Sequence, residues 1–197
     1  MKRLRVGTTN QGKLREFLQM LAPLGYEVLG VDDFPGFDPV EDADTFEANA
    51  IIKASALLEL TGDTAVADDS GLVVDALDGR PGVLSARFAG VTGSGQDAAN
   101  RDKLLADLVG VPDAKRTARF VCALACCVPT MEPVVFRGVF EGRIGHEERG
   151  ENGFGYDPIF IVASDSRTSA ELSPEEKNRL SHRGEALRKL IDWMEKK

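Results

Sequence analysis

The run Ala67-Asp68-Asp69-Ser70-Gly71 constrains this chain more than any other stretch. It follows Thr64-Ala65-Val66 and precedes Leu72-Val73-Val74, so two adjacent carboxylates and a hydroxyl interrupt what otherwise reads as a buried strand. Isolated buried carboxylates are strongly disfavoured unless they are paired or bound to a cation. A fold built on this strand must bring counter-charge to it, and that requirement points to a functional site.

The 197 residues suffice for one substantial domain, or for two lobes sharing a sheet, without disulfide staples. A formal charge of −8 argues against a general binder of nucleic-acid polymers, which needs a basic surface to displace counterions. A nucleotide carried in with a divalent cation is compatible with it. Cys122, Cys126 and Cys127 lie in one apolar run without CxxC spacing or neighbouring histidines, which fits reduced core thiols better than zinc or a disulfide. Met1-Lys2-Arg3 is not followed by an apolar leader and no stretch approaches a membrane span, so a cytoplasmic protein with no membrane contact is expected.

Along the chain, Leu4 to Val6 reads as a strand and Gly7 to Gly12 as a polar turn. A helix from Lys13 carries Leu14, Phe17, Leu18 and Leu21 at helical spacing. Tyr26 to Val31 reads as a second strand. Asp44, with Glu47 three residues on, suits the start of a helix running to Thr61-Gly62, on which Asn49 and Lys53 share a face. Val83 to Phe88 follows a tight connection, and Asp97 to Val109 is helical. Thr117 to Val128 and Val134 to Ile144 read as neighbouring antiparallel strands, Pro158 to Val162 as another. Ser173-Pro174-Glu175-Glu176 opens the terminal helix. The class expected is α/β, with a long mixed central sheet flanked by helices.

Gly7-Thr8-Thr9-Asn10-Gln11-Gly12-Lys13 meets most of the phosphate-loop pattern GxxxxGK[ST], except that Leu14 replaces the hydroxyl that would hold Mg²⁺. Either it is an ordinary glycine-containing turn, or it cradles phosphate while the metal is held elsewhere. The second alternative calls for an acidic cluster, and Glu41, Asp68 and Asp69 are oxygen ligands of the kind Mg²⁺ takes. Phosphate loop, Lys13 and acidic pair suggest a metal-dependent enzyme acting on a phosphate anhydride. One carboxylate can hold the cation while its neighbour activates water, and spacing assigns neither role. In Asn152 to Asp157, Phe154 and Tyr156 offer rings that either stack on a base or cover the core. Lys177, His182 and Arg183 are mainly donors, suited to a keto-bearing base.

These residues resemble the inosine triphosphate pyrophosphatase-like enzymes, the noncanonical purine NTP pyrophosphatases or XTP/dITP diphosphatases, over essentially the whole of residues 1–197, and most closely their bacterial members. The resemblance rests on Thr8 to Lys13; Glu41 with Thr45 to Ala50 and Lys53; Ala67 to Leu72; Pro81 to Arg87; Gly153 to Pro158; and Lys177 with Ser181 to Gly184. It implies a single domain of two lobes with the site in the cleft, Mg²⁺, a homodimer, and hydrolysis of ITP, dITP and XTP to monophosphate and pyrophosphate. Asp69, with Lys13, corresponds to the catalytic position, and Glu41, Asp68 and Asp69 to the metal site. Thr8, Thr9, Asn10, Gln11, Gly12, Lys13 and Ser70 would bind substrate. Asn49, Lys53 and Arg87 would line the phosphate side, and Phe154, Gly155, Tyr156, Asp157, Lys177, His182 and Arg183 the base pocket. Many members have a small residue where this chain has Thr9, which is β-branched and resists positive φ.

Three other functions share some of these features. A P-loop-like kinase or ATPase would release orthophosphate or transfer the γ-phosphoryl group, and Leu14 and the remote acidic pair count against it. A nucleotide sensor without hydrolysis would set two carboxylates near polyphosphate at a cost. A hydrolase of modified pyrimidine triphosphates is the nearest enzymatic rival.

Overall fold

The computed structural model describes residues 2–196. Eleven regular elements follow in chain order: β1 (Lys2–Val6), α1 (Gln11–Leu21), β2 (Tyr26–Leu29), α2 (Phe46–Thr61), β3 (Ala65–Val74), α3 (Gln96–Asp107), β4 (Thr117–Cys127), β5 (Val134–Ile144), β6 (Phe160–Val162), α4 (Pro174–Leu180) and α5 (His182–Glu195). The six strands form one sheet in the order β2-β1-β3-β4-β5-β6. β1 pairs in parallel with β2 and β3, whereas β5 and β6 are antiparallel, so the sheet is mixed as expected. The chain packs as two compact units. The first holds the chain up to Asp69, Cys122–Gly138 and the residues from Arg183 on; the second holds Ser70–Val121 and Val139–His182.

In the first unit, the period-two alternation of a strand decides what each residue meets. Val66 of β3 and Cys122, Leu124 and Cys126 of β4 pack with Phe17 and Leu21 of α1 and Leu187 and Leu190 of α5. Ala67 of β3 and Ala123, Ala125 and Cys127 of β4 face the other way, onto Ala50 and Ala54 of α2. Small residues on both surfaces let α2 lie close to the sheet. Gly7 serves the same approach, since a Cβ there would stand 3.1 Å from that of Ala67. The second unit has its own core, in which Leu72, Leu104, Phe120, Phe140, Tyr156 and Phe160 meet.

Several boundaries differ from the sequence reading for local reasons. α1 starts at Gln11, two residues early, because the Asn10 side chain accepts from the Gly12 and Lys13 amides and caps it. The cap of α2 is Thr45 and not Asp44: Thr45 is extended and its Oγ1 accepts from Ala48 N at 3.2 Å. β2 ends at Leu29 and β6 begins only at Phe160, because Asp157–Ile159 is a 3₁₀ turn around Pro158. Gly82–Arg87 is likewise a 3₁₀ turn. The expected terminal helix is two helices. Ser181 is extended (φ −72°, ψ 160°) and interrupts the ladder between α4 and α5. The capping box at Ser173 and Glu176 is present as read.

All three cysteines are buried thiols outside any disulfide. Burial, with Cys127 beside it, pushes the Cys126 thiol up to about 12, and burial also raises that of Cys127. The thiolate is the reactive form, so a disulfide reagent at about pH 8 should label the native protein slowly and all three thiols once it is unfolded. Rapid labelling of the native protein, read by thiol absorbance, would contradict the packing of β4.

Candidate functional site

The glycine-bounded loop before α1 is a capped helix start. Asn10 Oδ1 accepts from Gly12 N at 2.9 Å and Lys13 N at 3.1 Å, and Thr8 Oγ1 accepts from Asn10 N at 3.1 Å. Two amides that a phosphate loop would direct at its ligand are thereby engaged. Thr9 is exposed and not among the residues of positive φ, so its β-branch costs nothing here. Lys13 reaches beyond the loop, its Nζ 3.0 Å from Asp68 Oδ2.

Asp68 is buried at 1% exposure. The same Oδ2 accepts from Arg183 Nε at 3.2 Å and Nη2 at 3.0 Å, while Arg183 Nη1 donates to Glu16 Oε2 at 2.5 Å. Arg183 is thus a buried cation shared by two carboxylates, and it lies in the first unit while Lys177 and His182 lie in the second. Burial disfavours its charge, but Asp68 and Glu16 outweigh that and hold its pKa above the usual arginine value. Sequence reasoning passed over Glu16. The available signal is its spacing, three residues after Lys13 on one helix face.

Asp69, the next residue, finds a separate set of partners on α2. Asn49 Nδ2 donates to Asp69 Oδ2 at 3.2 Å, and Lys53 Nζ lies 3.7 Å from Asp69 Oδ1 and 2.8 Å from Glu41 Oε2. Asn49 also exchanges two hydrogen bonds with the Ala43 backbone, at 3.0 and 3.1 Å, which ties down the loop carrying Glu41. Burial raises the Asp69 pKa above the usual carboxylate value, against the downward pull of Lys53 and Lys13. Glu41 and Asp69 therefore converge on one positive charge, the Lys53 ammonium, whereas Asp68 is engaged by Arg183 and Lys13. Among the described residues no group of three or more metal-ligating side chains is gathered. Glu41 and Asp69 carry oxygens of the kind that could hold Mg²⁺, which commonly takes one or two carboxylates and completes its shell with water and phosphate.

In the second unit the loop 152–157 is built around Asp157, 3% exposed, whose Oδ2 accepts from Phe154 N at 2.9 Å and Lys177 Nζ at 2.6 Å. Lys177 also lies 4.6 Å from the centroid of the Phe154 ring. Gly153 (φ 80°) is required, since a Cβ there would collide with Asp157 Oδ2. The two aromatics of the loop divide the alternatives left by the sequence. Phe154 is partly exposed, whereas Tyr156 is buried in the core and donates its hydroxyl to Ser85 O at 2.8 Å. His182 is buried and stacks on Phe120 with ring centroids 5.0 Å apart. Arg87 is exposed at the end of its 3₁₀ turn and Ser70 is partly buried on β3.

Fold and site together define an α/β enzyme that sets lysines of two helices against the carboxylates of one strand, and a glycine-bounded aromatic loop against a buried lysine. The chain belongs to the Ham1 family, whose model matches residues 4–193. It is 52% identical over 192 residues to a dITP/XTP pyrophosphatase of Bacillus licheniformis, covering 96% of each chain. It is also similar to solved Ham1 proteins of Coxiella burnetii (42% identity, TM-score 0.89, all of both chains) and Staphylococcus aureus (42%, TM-score 0.86, 98% of each). The resemblance read from the motifs and the mixed α/β fold are both borne out.

Removing the Arg183 guanidinium would leave Asp68 and Glu16 without a shared counter-charge in a buried site. Arg183→Ala should lower unfolding stability by about 3–5 kcal/mol in urea titration. Arg183→Lys should cost less but remain destabilising, because one ammonium cannot reproduce the fork. An alanine variant as stable as the parent would refute this account of the ion pairs.

Proposed function

We propose that this chain hydrolyses the triphosphates of deaminated purines (ITP, dITP and XTP) between the α and β phosphates, releasing monophosphate and pyrophosphate. The observation that carries the reading is the relatives named dITP/XTP pyrophosphatase at 51–52% identity over at least nine-tenths of each chain. It makes the protein a nucleoside triphosphate diphosphatase, a hydrolase of nucleotide metabolism that removes damaged purines from the pool. We further assign it Mg²⁺, a cytoplasmic location and a homodimeric state, as its family resemblance implies; no described helix is long and apolar enough to cross a membrane.

In this reading Asp69 takes the proton of the attacking water. Asn49 and Lys53 hold its two oxygens, so the carboxylate is oriented before substrate arrives. Lys13 and Lys53 present positive charge to the phosphate oxygens, with Thr8 to Gly12, Ser70 and Arg87 contributing polar contacts. Glu41 and Asp69 would hold Mg²⁺, which when bound neutralises phosphate charge and lowers the pKa of a bound water. Asp68 fixes Lys13 and is itself fixed by Arg183. Phe154 offers its ring to the base, and Lys177 and His182 lie in the same unit as donors for a keto-bearing purine.

Incubation with Mg²⁺ and a panel of inosine, xanthosine, adenosine, guanosine and modified pyrimidine triphosphates should yield pyrophosphate from the deaminated purines first. Orthophosphate as the sole product would overturn the assigned bond, and equal turnover of ATP the assigned base selection. Asp69→Asn should reduce kcat by about 10²-fold or more while calorimetry still detects nucleotide binding. Chelation should abolish turnover and added Mg²⁺ restore it, whereas turnover that survives chelation would remove the ion from the reaction. Sedimentation should give twice the chain mass of 21.3 kDa.

A further inference from the structure

The second unit contains a clamp on the aromatic loop that the nucleotide chemistry above does not use. Gly155 N, in the peptide that joins it to Phe154, donates to Asp97 Oδ2 at 2.8 Å. Gly155 O, in the peptide that joins it to Tyr156, accepts from Arg101 Nη1 at 2.9 Å. Both partners stand on α3 at positions i and i+4, hence on one face. Arg101 is in turn held by Glu148, Nε to Oε1 at 2.7 Å. The peptides on both sides of Gly155 are therefore held by one rigid helix.

The clamp has a definable target. Gly153 and Gly155 both take positive φ, 80° and 61°, in a loop with little intrinsic stiffness. Phe154 stands between them. Its own N–H is fixed by Asp157, and the next two peptides are fixed by Asp97 and Arg101. The direction of the Phe154 Cα–Cβ bond, from which the ring projects, is thus set by polar bonds to its backbone on both sides, and Lys177 meets the ring itself. The same helix face fixes a second segment. Asn100 accepts from Ala89 N at 2.7 Å and donates to Ala86 O at 2.9 Å, and Ser85 O, which receives the Tyr156 hydroxyl, takes a further bond from Asn100 at 3.3 Å. α3 therefore secures the loop bearing Phe154 and the turn ending in Arg87 as one frame.

We propose that Asp97 and Arg101 are positioning residues for purine selection, acting through the two Gly155 peptides to hold the Phe154 ring where it meets the base. The proposal rests on the nucleotide reading given above. Neither residue touches the phosphates in that reading, so their loss acts on recognition of the base and not on bond cleavage. Asp97 is exposed, so its substitution leaves the core intact, whereas the Arg101 side chain is only 14% exposed, which makes Asp97 the cleaner probe of the clamp.

The test compares Asp97→Ala and Arg101→Ala with the parent, measuring kcat and KM for pyrophosphate release from ITP and from ATP. A lost charge-assisted bond to the backbone should raise KM for ITP about tenfold and shrink the ITP-to-ATP preference by a similar factor, with kcat changed less than about threefold. Asp97→Asn keeps an acceptor oxygen and should retain the parental preference within about threefold. Hydrogen exchange of the Phe154–Tyr156 peptide should accelerate in Asp97→Ala and stay close to the parental rate in Asp97→Asn. Alanine variants that keep KM and preference within about twofold, or that lose kcat alone, overturn the selection role. Parental turnover checks the nucleotide reading separately, and the exchange measurement decides the clamp whatever that turnover is: unchanged protection in Asp97→Ala overturns it.

Discussion

Alternation along β3 places the heaviest demand on the structure, because Asp68 and Asp69 are consecutive and must face opposite sides of the strand. No single partner can satisfy both. Asp68 shares the side of Val66 and receives Arg183 from α5 and Lys13 from α1; Asp69 shares the side of Ala67 and receives Asn49 and Lys53 from α2. The apolar residues of the strand and its two acids therefore select the same helices, one set by hydrophobic burial and the other by charge. Burying either acid without its partners would cost several kcal/mol, so packing and site cannot be separated in this unit.

A comparable economy governs the aromatic loop of the second unit. Asp157 takes a backbone amide and the Lys177 ammonium on one oxygen, which fixes the loop from within. Tyr156 fixes it from below: a buried tyrosine needs a partner for its hydroxyl, and Ser85 O supplies one. Phe154 has no such polar handle. The two rings, indistinguishable as stacking candidates in the sequence, are separated by one oxygen atom into a residue that anchors and a residue that can meet a ligand.

What could be read in the sequence follows from how local each determinant is. The acid pair, the shared face of Asn49 and Lys53, the serine cap of α4 and the order of the motifs all rest on short spacings, and all are recognisable there. Glu16 was not, because its burial depends on Arg183, 167 positions away. The break at Ser181 was missed for a related reason: the apolar stripe continues past it, and only the extended backbone of that one residue divides the helices. Thr45 and Asp44 are both good caps by composition, and the choice between them lies in a backbone angle. Sequence also presented Glu41, Asp68 and Asp69 as one acidic set, whereas alternation assigns Asp68 to different partners.

The glycine loop shows how a pattern match can rest on a physical arrangement other than the one the pattern describes. In a phosphate loop the open amides at the helix start and the lysine act together. Here Asn10 already fills the place of an anion at that helix end, so its side chain completes the cap and two of the amides are engaged. Charge for a phosphate comes instead from side chains, among them Lys13 and Lys53, each localised by acidic partners. With Glu16, Glu41, Asp68 and Asp69 set against Lys13, Lys53 and Arg183, full ionisation leaves this group with one negative charge in excess. A bare polyphosphate gains little from such a surface. One that arrives with a divalent cation sets positive charge between its own oxygens and these carboxylates, and that local pairing lets an acidic strand and a polyphosphate substrate belong together in the proposed reaction.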